Sequence, residues 1–260
     1  MAKLKEIKDF LDSVIPLETQ DSWDNSGIQF GVKDAEIKSI GFALSVSKDV
    51  IEEAKEKGID LLITHHPLTI SGLKKYADDL YPQNLLIELV KNSIYLLSLH
   101  TNLDVSPFGP TAIIADFLGI ERRSSIVQNP PYGILGELPS PITQKELLSK
   151  LVKFLPRDVF KTVLYRPDFE VKRVAICSGS GASFIDRVCS KADVYITGDV
   201  KYHDAMKALD LGLTVFDMGH FGTERLFFKK LISVLSENFQ ELEFVIFEEK
   251  SPFEVVKDVE

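Results

Sequence analysis

Cysteine is scarce: only Cys177 and Cys189 occur in 260 residues, and they form no C-x-x-C pair. This excludes a disulfide framework and a thiolate metal site, so any metal must be held by imidazole and carboxylate. Long apolar runs are missing too. Stretches such as residues 61–63 and 94–97 fall far short of the roughly 20 residues that a membrane helix needs. The opening residues, Met1-Ala-Lys-Leu-Lys-Glu6, carry no apolar leader core, and a cytoplasmic protein is expected. Basic excess is also absent. The formal net charge of −9 argues against broad attraction to nucleic acid or an anionic membrane. What remains is a chain of ordinary apolar and charged content, long enough for one large domain or two small ones.

Apolar residues at Leu4, Ile7, Phe10, Leu11 and Val14 follow helical spacing, and Pro16 ends that helix. Strands over 37–46, 60–64 and 94–99 then alternate with helices over 49–57 and 82–92. The alternation predicts an α/β fold with a mainly parallel, helix-covered sheet. Around Pro130-Pro131 the character changes, and Thr143 before Glu146 reads as a capping box heading a helix over 145–154. We expect a first α/β domain over 1–128 and a second over 129–260, with the C-terminal segment able to pack back on the first. The acidic end from Glu248 reads as a solvated tail or edge.

The second half echoes the first. Residues 51–64 read as a helix running into a strand, and residues 185–197 repeat that layout one residue shorter. Each is preceded by a strand, over 40–46 and 171–177. Each is followed by a helical stretch and a further strand, over 95–99 and 213–217. Those last strands run into His100-Thr-Asn-Leu-Asp104 and His220-Phe-Gly-Thr-Glu224, so H-x-x-x-carboxylate stands at the same point in both halves.

All five histidines (His65, His66, His100, His203 and His220) follow predicted strands, where the loops of an α/β sheet converge on ligands. One such histidine alone would be an ordinary core or surface residue. Five with interspersed acids point to a shared site. In extended backbone the neighbours His65 and His66 face opposite sides, so they suit two metal ions better than one. His220 and Glu224 lie one helical turn apart and present two donors together. Asp104 adds a second carboxylate. Three imidazoles and two carboxylates around two divalent ions leave a positive surplus, which lowers the pKa of bound water towards about 7. Zinc, iron, manganese, cobalt and nickel all suit such donors.

These residues resemble a known family, the dinuclear-metal Nif-three-like proteins, often named type 2 homologs of GTP cyclohydrolase I. The matching segments are Asp24-Asn-Ser-Gly27, Ile63-Thr-His-His-Pro-Leu68, Ser98-Leu-His-Thr-Asn-Leu-Asp104, Ala192-Asp-Val-Tyr-Ile-Thr-Gly-Asp-Val-Lys-Tyr-His203 and Asp217-Met-Gly-His-Phe-Gly-Thr-Glu224. They span nearly the whole chain in the family's order. The resemblance implies two similar, pseudo-symmetric α/β domains with a dimetal centre in the cleft between them. It also implies a ring-shaped homohexamer, a trimer of dimers. The family's metal ligands fall on His65, His66, Asp104, His220 and Glu224. Where many members read Leu-Asp-Val-Thr, this chain has Leu44-Ser-Val-Ser47, and the carboxylate lost at Ser45 bears on what surrounds the ligands or the substrate.

Other roles stay open. His100 can stand behind a ligand, donate a proton or contact substrate. His203 is favoured as general acid, and Lys201 and Arg225 read either as contacts for an anionic substrate or as solvated charge. Gly179-Ser-Gly181 reads as a tight turn rather than a phosphate loop. Asp24 and Asn25 read as fixing the loop around Gly27. Two functions follow: a metal-dependent hydrolase of a small phosphorylated or nucleotide-like substrate, or a non-catalytic metal-binding scaffold or regulatory partner.

Overall fold

A strand with parallel neighbours, covered on both faces, can be apolar along its whole length. Leu61–Thr64 and Val194–Thr197 are such strands, buried at every residue. In the computed structural model, which describes residues 1–255, each lies inside its own sheet.

By internal contact the chain divides into two compact units: Met1–Phe108 with Phe228–Glu249, and Gly109–Phe227 with the described residues from Lys250 on. The first unit begins β1 (Ala2–Lys3), α1 (Leu4–Val14), β2 (Gly27–Phe30), β3 (Glu36–Ile37) and β4 (Ser39–Ala43). It continues α2 (Lys48–Glu56), β5 (Leu61–Thr64), α3 (Gln83–Lys91), β6 (Tyr95–Ser98) and α4 (Thr101–Asp104). The second holds α5 (Pro110–Phe117), β7 (Glu121–Ser125), β8 (Ile134–Thr143), α6 (Gln144–Phe154), β9 (Lys161–Val163) and β10 (Glu170–Ile176). It ends with α7 (Ile185–Val188), β11 (Val194–Thr197), α8 (Tyr202–Asp210), β12 (Thr214–Asp217) and α9 (His220–Glu224). The chain then returns to the first unit as α10 (Phe228–Asn238) and β13 (Glu243–Ile246).

The main sheet of the first unit has the order β13-β4-β5-β6-β2, parallel except for β2. Val50 and Ile51 of α2 and Leu89 of α3 pack against Leu62, Leu96 and Phe247. Glu249 is more than a solvated tail residue. Its carboxylate accepts the backbone N–H of Leu44 at 2.7 Å and of Ser45 at 3.4 Å, closing the end of β4.

The sheet of the second unit has the order β7-β8-β10-β11-β12-β9. Here β10, β11 and β12 are parallel, while β9 pairs antiparallel with β12 and β8 with β10. Ile114 and Ala115 of α5 pack with Leu138, Leu151, Val174 and Ile196, which is why α5 belongs to this unit. Thr143 and Glu146 form the expected capping box: Thr143 Oγ1 accepts the Glu146 N–H at 3.2 Å, and Glu146 Oε2 accepts the Thr143 N–H at 2.8 Å. The two repeat segments thus become β4-β5-β6 and β10-β11-β12, each a parallel run bordered by an antiparallel strand. In both, the histidines follow the carboxyl ends of the strands, the ligand-binding edge of an open α/β sheet.

Candidate metal centre

In the first unit β5 and β6 run parallel in register, so the residues after Thr64 and Ser98 emerge along one edge. His65 is fully buried, with Nδ1 2.8 Å from the Leu99 carbonyl oxygen. A carbonyl only accepts, so Nδ1 carries a proton and Nε2 is the ring's other nitrogen. That nitrogen lies 3.6 Å from Asp104 Oδ1. His66 Nδ1 lies 2.7 Å from Ser45 Oγ, and the His66 backbone N–H donates to the Leu44 carbonyl at 2.9 Å. The serine at the departure from the family's pattern therefore touches a histidine of the site directly. The rings of His65 and His66 do not diverge as in a continuing strand. The strand ends at Thr64, and past this bend their centroids stand 5.0 Å apart.

His100 precedes α4, and its Nδ1 is 2.8 Å from Asp24 Oδ1. The other carboxylate oxygen of Asp24 accepts from Ser26 Oγ at 3.0 Å, from the Thr101 N–H at 3.0 Å and from Thr101 Oγ1 at 2.5 Å. Burial opposes ionisation of Asp24. The hydrogen bonds from His100 and Thr101, with the charge of His100, outweigh it and hold the carboxyl well below the usual range. Asp24 thus orients a histidine as well as fixing its loop, a partnership that sequence reasoning missed. One ligand nitrogen from each of His65, His66 and His100 can be chosen so that all lie within 4.8 Å of one another, a group able to hold a metal ion.

In the second unit, the buried Asp217 closes the end of β12, accepting the Gly219 N–H and the Val200 N–H, each at 3.1 Å. Lys161 Nζ sits 2.7 Å from the same carboxylate. Gly219 has φ 74°, and a Cβ there would lie 2.1 Å from Asp158 Oδ2. Asp158 accepts the Gly222 N–H at 2.9 Å, satisfying an N-terminal donor of α9. On that short helix His220 Nε2 meets Glu224 Oε2 at 2.8 Å, while Nδ1 is 2.7 Å from Asp199 Oδ2. Gly179 leaves space for Glu224, since a Cβ at Gly179 would stand 1.8 Å from Glu224 Oε1. The Gly179-Ser-Gly181 turn therefore makes room for a carboxylate. Lys201 and His203 lie exposed at the head of α8, with the His203 ring 5.3 Å from that of Tyr202. Arg225 lies over the Phe221 ring, its Cζ 5.8 Å from the centroid.

Burial works against the His220 cation, but Glu224 and then Asp199 prevail and push its pKa up to about 9. Metal-free His220 is therefore an imidazolium at neutral pH, and a metal ion binding there must expel one proton. Its apparent affinity should rise about tenfold per pH unit until pH about 9. Calorimetry at pH 7 in buffers of different ionisation enthalpy should read one proton released per ion bound at His220. Release of none would contradict the assignment.

The Duf34/NIF3 (NGG1p interacting factor 3) family model matches residues 2–252. A Campylobacter jejuni protein named GTP cyclohydrolase 1 type 2 homolog is 35% identical over 254 residues, covering 97% of this chain and 99% of that protein. A Helicobacter pylori J99 protein named GTP cyclohydrolase 1 type 2 is 33% identical over 227 residues, covering 87% of this chain and 89% of that one. The solved structure "Reduced HcgD from Methanocaldococcus jannaschii" has a TM-score of 0.84 at 34% identity, covering 94% of this chain and 97% of its own.

Proposed function

We propose, starting from the fact that this chain belongs to the Duf34/NIF3 family, that His65, His66, Asp104, His220 and Glu224 together hold two divalent metal ions for hydrolysis. The substrate class is a small nucleotide-like or phosphorylated molecule. One observation supports this reading above others: Nδ1 of His65, His66 and His220 is engaged by the protein, so Nε2 is the atom by which each ring would meet a metal ion. Ring nitrogens backed in this way are characteristic of metal-binding histidines. The donors are nitrogen and oxygen only, which suits zinc, iron, manganese, cobalt or nickel.

When bound, a metal pair supplies positive charge that polarises a phosphoryl or carbonyl oxygen and acidifies water. The protein's own residues do the rest. Asp199 holds His220 upright on α9, the Leu99 carbonyl fixes the tautomer of His65, and Gly179 keeps space open for Glu224. His203, exposed on α8, is assigned the proton donated to the leaving group, and Lys201 beside it the anionic part of the substrate. GTP is the first substrate to test, because the Helicobacter relative carries the name GTP cyclohydrolase 1 type 2.

Each candidate metal would be loaded in turn and the protein offered GTP, other nucleotides, phosphoesters and cyclic amides. Metal-dependent turnover is expected, and His203→Ala should lower it by about 10²–10⁴-fold with metal content unchanged. A metal-loaded protein inert to the whole panel would sink the hydrolase. The family's description as an interacting factor favours a second reading, a metal-binding scaffold or regulatory partner. Full metal content without turnover, plus a stable copurifying protein, would support it. Under either reading the proposed assembly is a homohexamer, for which light scattering should count six chains.

A further inference from the structure

We infer that His100 is itself a metal ligand, so that His65, His66 and His100 form a three-imidazole site lying wholly within the first unit. The inference rests on the metal-binding reading above and adds a residue that the five-ligand set leaves out.

The argument is one of shared construction. Four histidines have Nδ1 engaged by a protein partner: His65 by the Leu99 carbonyl at 2.8 Å, His66 by Ser45 Oγ at 2.7 Å, His100 by Asp24 Oδ1 at 2.8 Å and His220 by Asp199 Oδ2 at 2.7 Å. His203 is the contrast, exposed and set against Tyr202. The partner of His100 is the most elaborate of the four. The Asp24 side chain has no exposed surface, and its charge is compensated by His100, the Asn25 N–H, Ser26 Oγ and both donors of Thr101. A buried carboxylate is costly unless so satisfied. Since an ionised carboxylate only accepts, the His100 Nδ1–H must point to Asp24, and Nε2 is the atom by which the ring would meet a metal ion, with the anion behind it strengthening that donor.

Position agrees with construction. The centroid of His100 lies 5.1 Å from that of His65 and 5.6 Å from that of His66. Ligand nitrogens of the three residues lie within 4.8 Å of one another. Imidazole–metal bonds are about 2.0–2.1 Å, so an ion among them would draw the rings inward by a fraction of an ångström. Three neutral imidazoles with the remaining coordination open suit a catalytic rather than a structural ion.

Cobalt(II), followed by its visible absorption and by metal counting, is the probe. The full-length variant H220A/E224Q removes the donors of the second unit. It is expected to keep one Co(II) per chain. Adding His100→Ala should weaken that site by about tenfold or more, and adding Asp24→Asn by about 10–100-fold. His100→Gln, which keeps side-chain volume and a polar contact to Asp24, guards against misfolding, and circular dichroism of the metal-free proteins checks the fold. Retention of unchanged Co(II) affinity in both His100 variants would overturn the inference, as would complete loss of Co(II) from H220A/E224Q. The wild-type count separates the two readings. Two ions with indifferent His100 variants leave the five-residue reading standing without this one. A single ion, lost with His100 but kept without Glu224, does the reverse.

Discussion

Gly179→Ala is expected to weaken metal binding at the proposed ligands His220 and Glu224 although it removes neither of them. A methyl at this position would stand 1.8 Å from Glu224 Oε1 and 2.8 Å from its carboxyl carbon, so Glu224 must swing away. The backbone adds to the conflict, because Gly179 sits at φ +64°, where a side chain costs about 1–2 kcal/mol. Glu224 itself is buried on α9, so its carboxylate cannot move aside into open solvent without disturbing the helix. Metal affinity should therefore fall about as far as in Glu224→Gln, by at least the 10–100-fold typical of displaced support around a metal. Equilibrium dialysis against zinc or manganese reads this directly. Wild-type affinity in Gly179→Ala would show that the position of Glu224 is irrelevant to binding.

Stripping the proposed metal ions should lower thermal stability by a large and pH-dependent amount. A ligand at about 1,000 times its Kd stabilises the folded state by about 4 kcal/mol. For a chain of this size that corresponds to a fall in Tm of about 8–16 °C on chelation. The pH dependence has a definite sign. In the stripped protein the His220 pKa is raised from 6.5 to about 9, so its interactions with Glu224 and Asp199 stabilise fully below pH 6.5 and fade as pH rises through about 9. Metal binding grows stronger over the same window. The gap in Tm between loaded and stripped protein should therefore widen from pH 6.5 to 9, as scanning calorimetry would show. Equal melting with and without chelator would remove the metal from the account.

What was legible in the sequence is what is local. The βαβ runs, the capping box at Thr143 and the His220–Glu224 contact each depend on residues a turn or a strand apart, and the structure holds all three. Contacts made by the fold rather than by the chain were not legible. Asp24 reaches His100 across 76 positions, and no spacing rule joins them. Ser45 reaches His66 because β4 and β5 are parallel neighbours, which places the loops after them side by side. The charged character of Glu249 gives no hint that it caps the end of β4. Nor does α5, apolar on most of its surface, show in its own periodicity which sheet it will cover. Gly179 read as a turn because glycine signals flexibility as readily as it signals space, and only the position of Glu224 distinguishes the two.

The central claim, that residues of both units hold two divalent ions, is tested most directly by anomalous diffraction from crystals of the metal-loaded protein. Two anomalous peaks per chain are predicted, with His65 and His66 of the first unit and His220 and Glu224 of the second among the ligands at about 2.0–2.2 Å. A single peak, or peaks bound by none of these residues, would contradict it.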